Sequence, residues 1–189
     1  MPRKPVTTKE TIIDGAVQLI REKGYEALTV RNLAEYLHCS TQPIMYQFET
    51  VEDLRRAAYR KADQMHTDYL MIAGEGEDPI LAIGLNYIRF AVREPNLFRF
   101  LFQSGNAEEK NLLEMIDSEE LVPVLGVMQE ALGMDPEKTR QVFLTVALFA
   151  HGYASIIANN GLEFDEAVIA RHLEQAWNGA LRAAMEDTK

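Results

Sequence analysis

The sequence predicts an all-α fold of about nine helices, and three observations lead to this prediction. Apolar residues recur three and four positions apart along almost the whole chain, as they do on one face of a helix. Glycine, proline and capping residues divide these runs into segments of helical length. No run of β-branched residues alternates with polar ones between turn signals, as strands would.

The first helix is predicted over residues 8–23. Thr7 and Glu10 have the spacing of a capping box, and Gly24 is a natural stop after Lys23. One face of this segment is apolar along its whole length, which favours packing against other helices. The residues of that face are Ile12, Ile13, Ala16, Val17 and Ile20.

Two short helices follow. Thr29 is a good N-cap for the second helix, which is predicted to end near Leu37. Ser40 is predicted to cap the third, in which Ile44 and Phe48 lie four residues apart on the inner face. Longer helices are then predicted over residues 51–73, 79–94, 96–104, 118–132, 136–160 and 165–186.

The charge is distributed unevenly along the chain. Residues 1–48 carry six basic and five acidic side chains, whereas the rest carries 13 and 24, within a formal net charge of −10. Because electrostatic attraction acts over about a Debye length of 8 Å, a near-neutral first part can still bind a polyanion. Two domains are predicted, one over residues 1–48 and one over 49–189, joined rigidly by the fourth helix.

The composition also predicts the compartment. The only cysteine, Cys39, cannot form an intramolecular disulfide, and the turn that it occupies favours a packing role. The N-terminus lacks the apolar core of a signal peptide, and no run of about 18 apolar residues predicts a membrane span. A cytoplasmic protein without membrane contact is the expectation.

The two short helices joined by His38, Cys39 and Ser40 have the form of a helix-turn-helix, whose second helix enters the major groove of DNA. Glutamine is suited to adenine, threonine to either base of a pair, and proline to a thymine methyl. Hydroxyls and amides at helix N-termini can bind phosphate, and an arginine can bind phosphate or guanine. The residues predicted to contact double-stranded DNA are Thr29, Arg31, Ser40, Thr41, Gln42, Pro43, Tyr46 and Gln47.

Residues 8–54 resemble the N-terminal domain of the tetracycline-repressor (TetR) family of transcriptional regulators. The resemblance is carried by "AVQLIREKGYEALTVRNLAEYL", by "STQPIMYQF" and by "VEDL" at the start of the fourth helix. It implies a homodimeric regulator, most simply a repressor, that binds a near-palindromic operator and responds to a small molecule. The half-sites would lie about one DNA turn, roughly 34–36 Å, apart.

Three positions depart from the family pattern. His38 occupies a turn where the family usually has glycine, although histidine tolerates positive φ better than most residues. Met45 and Val51 stand where the family usually has a tyrosine and a lysine that contact phosphate. The loss of two such contacts predicts a weaker salt dependence of binding but not its loss.

The resemblance also implies an effector cavity enclosed by helices 4 to 8. Aromatic and sulfur side chains at helical spacing are candidates for its lining, although such stripes are more often plain core. Two histidines are candidate polar contacts, and each is more often simply a core or surface residue. The candidate effector-binding residues are Met65, His66, Tyr69, Tyr87, Phe90, Phe98, Phe102 and His151.

Dimerisation is predicted on the last two helices, where small residues would let helices approach closely. Gly152 is expected to have a packing reason, because glycine inside a helix costs up to about 1 kcal/mol relative to alanine. Packing within one subunit is the alternative for the whole stripe. The predicted interface residues are Ala147, Ala150, Ala154, Ala158, Ile169, Leu173, Ala176 and Ala180.

Two other classes of function remain open from the sequence: a helical small-molecule carrier, or enzyme, and a protein-binding adaptor with a degenerate DNA-binding module. An enzyme is not predicted, because no Gly-rich phosphate loop and no placeable Ser-His-Asp set is present. No metal or cofactor is predicted either, since no histidine has metal-ligand spacing with another histidine or cysteine.

Overall fold

The computed structural model describes residues 8–72, 78–105 and 119–186. Within these ranges it contains nine α-helices and no strand, which confirms the predicted all-α fold. The helices are α1 Lys9–Lys23, α2 Val30–Tyr36, α3 Thr41–Gln47, α4 Val51–Leu70, α5 Pro79–Arg93, α6 Pro95–Gln103, α7 Val122–Leu132, α8 Pro136–Asn160 and α9 Glu166–Glu186.

Most helix bounds lie within one or two residues of those predicted. α4 is shorter than predicted and ends at Leu70, while position 73 lies outside the described residues. The predicted start at 118 also lies outside them, and a single 3-10 turn, Glu119–Leu121, precedes α7. Pro95 is the first residue of α6, where a missing N–H leaves no hydrogen bond unmade.

The N-cap of α1 is Thr8, which corrects the predicted capping box of Thr7 and Glu10. Thr8 is extended, with ψ at 163°, and its hydroxyl accepts a hydrogen bond from the backbone N–H of Thr11. Thr11 in turn donates its own hydroxyl to the carbonyl of Thr8 at 2.9 Å. Thr7 lies outside the described residues. Two adjacent threonines are equally good caps locally, so the sequence alone did not distinguish them.

The described residues fall into two compact units. The first takes its residues from 1–64 and 94–108, and the second from 65–93 and 109–189. α4 therefore contributes to both units, and α6 belongs to the first although it follows α5 of the second. The boundary predicted at 48–50 follows the end of α3, and as a functional boundary it stays a prediction.

The first unit is held together by a core to which α6 contributes four buried side chains, Leu97, Phe98, Phe100 and Leu101. Phe100 lies against Tyr25 and Tyr59, with ring centroids 6.3 and 5.8 Å apart. Arg21 of α1 donates to the carboxylate of Glu94 at 2.8 Å. These contacts fix α6 to α1, to the 3-10 turn that contains Tyr25, and to α4.

The second unit is formed by α5, α7, α8, α9 and the last turns of α4. α5 and α9 approach closely at Gly84 of α5, where an added Cβ would come within 2.6 Å of the side chain of Leu173. By length and composition alone α8 is apolar enough to cross a membrane, but the core helix of a soluble protein meets the same criterion. A buried cluster in this unit comprises Leu70, Val124, Met128, Val142, Ala180 and Ala184.

Candidate nucleic-acid interface

The rotation of α3 about its own axis is fixed by two buried side chains. Ile44 is 0% exposed and Phe48 is 4% exposed, so both face the core, as the sequence predicted. Because successive residues of a helix point 100° apart, the opposite face is directed outward. This face carries Gln42 and Tyr46, which are exposed, and Thr41 is exposed at the first position of the helix.

The predicted DNA-contacting residues lie on the surface of the first unit. Tyr46 is the most exposed large hydrophobic side chain of the described chain, at 87%. Pro43 and Gln47 are half-buried, and the other residues of the set are exposed. The arrangement therefore leaves an array of hydroxyl, amide and phenol groups available to a partner. These other exposed residues are Thr29, Arg31, Ser40, Thr41 and Gln42.

The N-termini of the two short helices differ in how their hydroxyls are used. Thr29 caps α2, since its hydroxyl accepts from the N–H of Asn32 at 3.1 Å. Ser40 has the extended backbone of an N-cap, with ψ at 167°, but its side chain makes no capping hydrogen bond. The cap occupies only an acceptor lone pair of Thr29, so the O–H groups of both Thr29 and Ser40 can still donate to a phosphate oxygen.

The turn between α2 and α3 contains the only non-glycine residue with positive φ in the described chain, His38 at 51°. The left-handed conformation costs an L-residue about 1–2 kcal/mol, and glycine avoids this cost. The backbone N–H of His38 donates to the carbonyl of Glu35, and that of Cys39 donates to Ala34. The turn therefore forms despite the side chain of His38, which disfavours a positive φ.

Replacement of His38 by glycine is expected to raise the free energy of unfolding by about 0.5–1 kcal/mol. Relief of the left-handed strain exceeds the roughly 0.4–1 kcal/mol that glycine gains in the unfolded chain. Urea denaturation of the two proteins measures the difference. His38→Asn is the control, because asparagine also tolerates this region and should change stability less. A less stable glycine variant would contradict the strain argument.

Charged side chains lie near α3, and several of them already contact other groups of the first unit. The ammonium of Lys9 lies 5.4 Å from the ring centroid of Phe48. Thr50 and Asp53 form a reciprocal cap at the start of α4, with the hydroxyl of Thr50 donating to the carboxylate at 2.7 Å. Hydrogen bonds from Thr50 and then Arg56 hold the pKa of Asp53 below its usual value. Arg56 is thereby partly neutralised beside the reading helix.

Six of the eight candidate effector-binding residues lie in the second unit, where four of them form an aromatic cluster with His66 at its centre. The ring of His66 is 5% exposed and makes edge contacts with Tyr87 and Phe90, at centroid distances of 5.2 and 4.9 Å. Tyr69 packs against Phe90 at 5.7 Å. Burial lowers the pKa of His66 to about 3, so the ring is neutral at pH 7.

A polar contact extends this cluster towards α8. The phenol of Tyr87 and the Nδ1 atom of His151 are 2.9 Å apart and share a hydrogen bond. Burial also lowers the pKa of His151 from its usual value. Met65 is half-buried in the same unit. Phe98 and Phe102 belong instead to the first unit, where their ring centroids are 4.9 Å apart and Phe98 is fully buried.

A hydrogen-bond network that the sequence did not predict starts at a buried asparagine and joins three helices of the second unit. Asn86 of α5, 4% exposed, donates to the carbonyl of Leu70 at 3.3 Å and to that of Ile72. Arg89 donates to the side-chain oxygen of Asn86 at 2.9 Å and to Glu166 of α9 at 3.1 Å. The hydrogen bond from Arg89 is the main reason that the pKa of Glu166 is lowered. Asn86 thus satisfies carbonyls that the end of α4 leaves unpaired.

The small-residue stripe of α8 and α9 lies largely inside the chain. Ala147 and Ala176 are half-buried, and the other members are at most 8% exposed. Side chains buried in this way support packing within one subunit, the alternative that the sequence left open; any contact with a second copy stays a prediction. The six buried members are Ala150, Ala154, Ala158, Ile169, Leu173 and Ala180.

Gly152 is different from this stripe. A Cβ added to it would meet no atom within 4 Å among the described residues, so the packing reason expected for this glycine does not lie there. Across the same residues, no group of three or more His, Cys, Asp or Glu side chains has an arrangement that could hold a metal ion.

Comparison with known families gives two matches that together cover most of the chain. Residues 12–58 match the model described as bacterial regulatory proteins, tetR family. Residues 80–183 match the model of the tetracyclin repressor-like C-terminal domain. A search of curated proteins finds no match.

Solved structures with the same fold are distant in sequence. A tetR-family transcriptional regulator from Streptomyces coelicolor is 13% identical, with a TM-score of 0.71 over 95% of this chain and 89% of that one. A transcriptional regulator from Pseudomonas aeruginosa PAO1 is 14% identical, with a TM-score of 0.70 and 98% of both chains covered. A TetR variant from Acinetobacter baumannii AYE, in complex with minocycline, is 19% identical, with a TM-score of 0.63 over 94% and 98%.

Proposed function

Because the chain belongs to the TetR family of bacterial transcriptional regulators, we propose that it is a ligand-responsive repressor that binds a palindromic operator as a homodimer. The observation that carries the proposal is the outer face of α3, which Ile44 and Phe48 hold towards solvent. Hydroxyl, amide and phenol groups on that face match the hydrogen-bonding edges of bases in the major groove. Two copies related by a two-fold axis would read two half-sites about one DNA turn apart.

The expected contacts are of two kinds. Thr41, Gln42, Pro43, Tyr46 and Gln47 of α3 would meet base edges, because the N-terminal part of such a helix lies deepest in the groove. Thr29, Arg31 and Ser40 lie at or near helix N-termini and would contact the phosphate backbone. Since phosphate contacts carry little sequence information, specificity would rest mainly on the first group.

Truncation of Gln42 and Tyr46 to alanine should weaken operator binding by about 1–3 kcal/mol for each base contact that is lost. Both side chains are exposed, so the fold should be unchanged. The measurement is a fluorescence anisotropy titration against an operator selected from a random DNA pool. Gln141→Ala, at an exposed glutamine of the second unit, is the matched control and should bind like the parent chain.

The same experiment separates the alternatives. A small-molecule carrier or a protein-binding adaptor would not be affected by the loss of Gln42 and Tyr46. The parent chain would also enrich no sequence from the random pool in either case. A chain that prefers no DNA sequence over random DNA would contradict the proposed function.

The surface of α8 supports a homodimer. Leu148 and Ile156 are 51% and 52% exposed, and Gly152 lies between them on the same face. A glycine inside a helix costs up to about 1 kcal/mol, and close approach of a second helix would account for it. Val168 adds an exposed apolar side chain on α9. We therefore propose that the dimer interface is formed by these exposed residues of α8 and α9. The buried alanine stripe would then pack within the subunit and not in the interface.

Substitution of Leu148 and Ile156 by aspartate should convert the dimer to a monomer. Burial of each side chain at an interface contributes about 1.5–3 kcal/mol, and a buried unpaired carboxylate opposes association further. Sedimentation velocity at micromolar concentration measures the change. Leu162→Asp, at a residue equally exposed but beyond the end of α8, should leave the dimer intact. A parent chain that is monomeric at high concentration would contradict the proposed homodimer.

The effector site is proposed around His66 in the second unit. Its aromatic rings and its neutral hydrogen-bonding groups, the imidazoles of His66 and His151 and the phenol of Tyr87, suit an organic ligand with its own aromatic surface. The minocycline complex of the Acinetobacter protein is consistent with such a ligand in this family. A ligand that favours one state of the second unit would alter α4, which continues into the first unit, with a coupling of about 1–3 kcal/mol.

A further inference from the structure

The outer face of α3 contains a large apolar side chain that the predicted set of DNA contacts does not include. Met45 is 46% exposed, beside Tyr46 at 87%. Its neighbour Ile44 is fully buried, so rotation of the helix cannot bring Met45 into the core. On a helical surface Met45 borders the residues three and four positions before it, Gln42 and Thr41. The thioether therefore lies within the group of side chains that would face the bases.

This face also carries no charge. Residues 38–48 contain no lysine, arginine, aspartate or glutamate, and the nearest predicted contact with a positive charge, Arg31, lies on α2. Guanine is recognised most often by arginine or lysine, through its O6 and N7 atoms. A reading helix without either residue lacks the most common means of selecting a G·C pair.

The groups that α3 does present match the other base pair. Glutamine amides bind the N6 and N7 atoms of adenine, and the C5-methyl of thymine is an apolar group on the major-groove edge. α3 provides both kinds of partner, the exposed amide of Gln42 and the apolar side chains of half-buried Pro43 and exposed Met45. Met is flexible and polarizable, so it can adapt to a methyl group at the floor of the groove.

We propose that α3 reads A·T base pairs and that Met45 is a specificity-determining residue, whose side chain contacts a thymine methyl. The proposal rests on the proposed DNA-binding function and adds the base composition of the half-site and the contact that selects it. It also gives a role to a residue that departs from the family pattern: at this position an apolar base contact takes the place of a phosphate contact.

The test removes one methyl group at a time from the DNA. The operator is first selected from a random pool, and each thymine of a half-site is then replaced singly by deoxyuridine, which lacks only the C5-methyl. At one thymine the parent chain should lose about fourfold in affinity, the value of one buried methyl group. Met45→Ala should bind the thymine operator more weakly by at least this factor and should no longer distinguish thymine from deoxyuridine there.

Two further variants complete the design. Met45→Leu keeps an apolar side chain of similar size and should retain the discrimination. Met71→Ala truncates an exposed methionine of the second unit and should behave like the parent chain. Circular dichroism establishes that each variant is folded before its affinity is measured.

Distinct results would overturn the inference and the proposed function. Selection of G·C pairs at the centre of the half-site would overturn the inference while leaving a DNA-binding regulator. Equal affinity of the parent chain for thymine and deoxyuridine at every position would do the same, as would undiminished discrimination by Met45→Ala. Failure of the parent chain to enrich any sequence would overturn the proposed function itself.

Discussion

Truncation of Phe98 to alanine is expected to lower the free energy of unfolding by about 3–5 kcal/mol, the range for a large aromatic residue removed from a packed core. Phe98 is 0% exposed in the first unit, and its ring lies 4.9 Å from that of Phe102. The loss comprises both the hydrophobic burial of the ring and the cavity left behind. Against a total stability of about 5–15 kcal/mol for a typical domain, such a change is large.

This prediction distinguishes two roles for Phe98. A residue that lines an effector cavity would change ligand affinity when truncated, at a modest cost in stability. A core residue that fixes α6 within the first unit would cost stability whether or not ligand is present. Chemical denaturation without any effector measures the difference directly. Phe102→Ala is the matched control, because Phe102 is only half-buried and should cost less.

The consequence for DNA binding follows from the position of α6. Asn96 of α6 donates to the carbonyl of Arg21 of α1 at 2.9 Å, and Phe100 packs on Tyr25 in the 3-10 turn after α1. Loss of Phe98 should therefore lower the temperature up to which the operator is bound, without altering the preferred sequence. A Phe98→Ala variant as stable as the parent chain would contradict this account of the core.

Acidification from pH 7 to pH 5 is expected to destabilise the protein by about 2 kcal/mol through His66 alone. In the folded chain burial lowers the pKa of this imidazole to about 3, so the ring stays neutral. In the unfolded chain the pKa has its ordinary value of 6.5. Below pH 6.5 the unfolded state therefore binds a proton that the folded state does not. Stability is unaffected above pH 6.5 and falls by about 1.4 kcal/mol per pH unit as the pH drops towards 3.

The measurement is the free energy of unfolding in urea at pH 5 and pH 7, for the parent chain and for His66→Phe. Phenylalanine keeps an aromatic ring between Tyr87 and Phe90 but cannot be protonated. The difference between the two pH values should shrink by about 2 kcal/mol in this variant. His151→Phe is a useful comparison, because its lowered pKa adds a smaller dependence of the same sign. An unchanged pH dependence in His66→Phe would show that another group is responsible.

Several features of this protein are local, and the sequence alone determined them. The periodicity of apolar residues gave the nine helices, and capping residues and prolines set most of their ends, because helix formation depends on neighbours within a few positions. The inward direction of Ile44 and Phe48, and hence the outward polar face of α3, follows from the same periodicity. The family followed from the order of these residues along the first 54 positions.

Other features depend on which segments meet in space, and only the tertiary structure decided them. α6, with Phe98 and Phe102, belongs to the unit of α1, whereas His66 belongs to the second unit, although the sequence groups these residues by one aromatic pattern. The alanine stripe of α8 and α9 is covered mostly by its own chain. A hydrogen-bond network of Asn86, Arg89 and Glu166 joins α5 to α9, and Arg89 and Glu166 are 77 positions apart along the chain. Periodicity tells which face of a helix is buried, but the partner that buries it is fixed by long-range packing, which leaves no signal at short spacing.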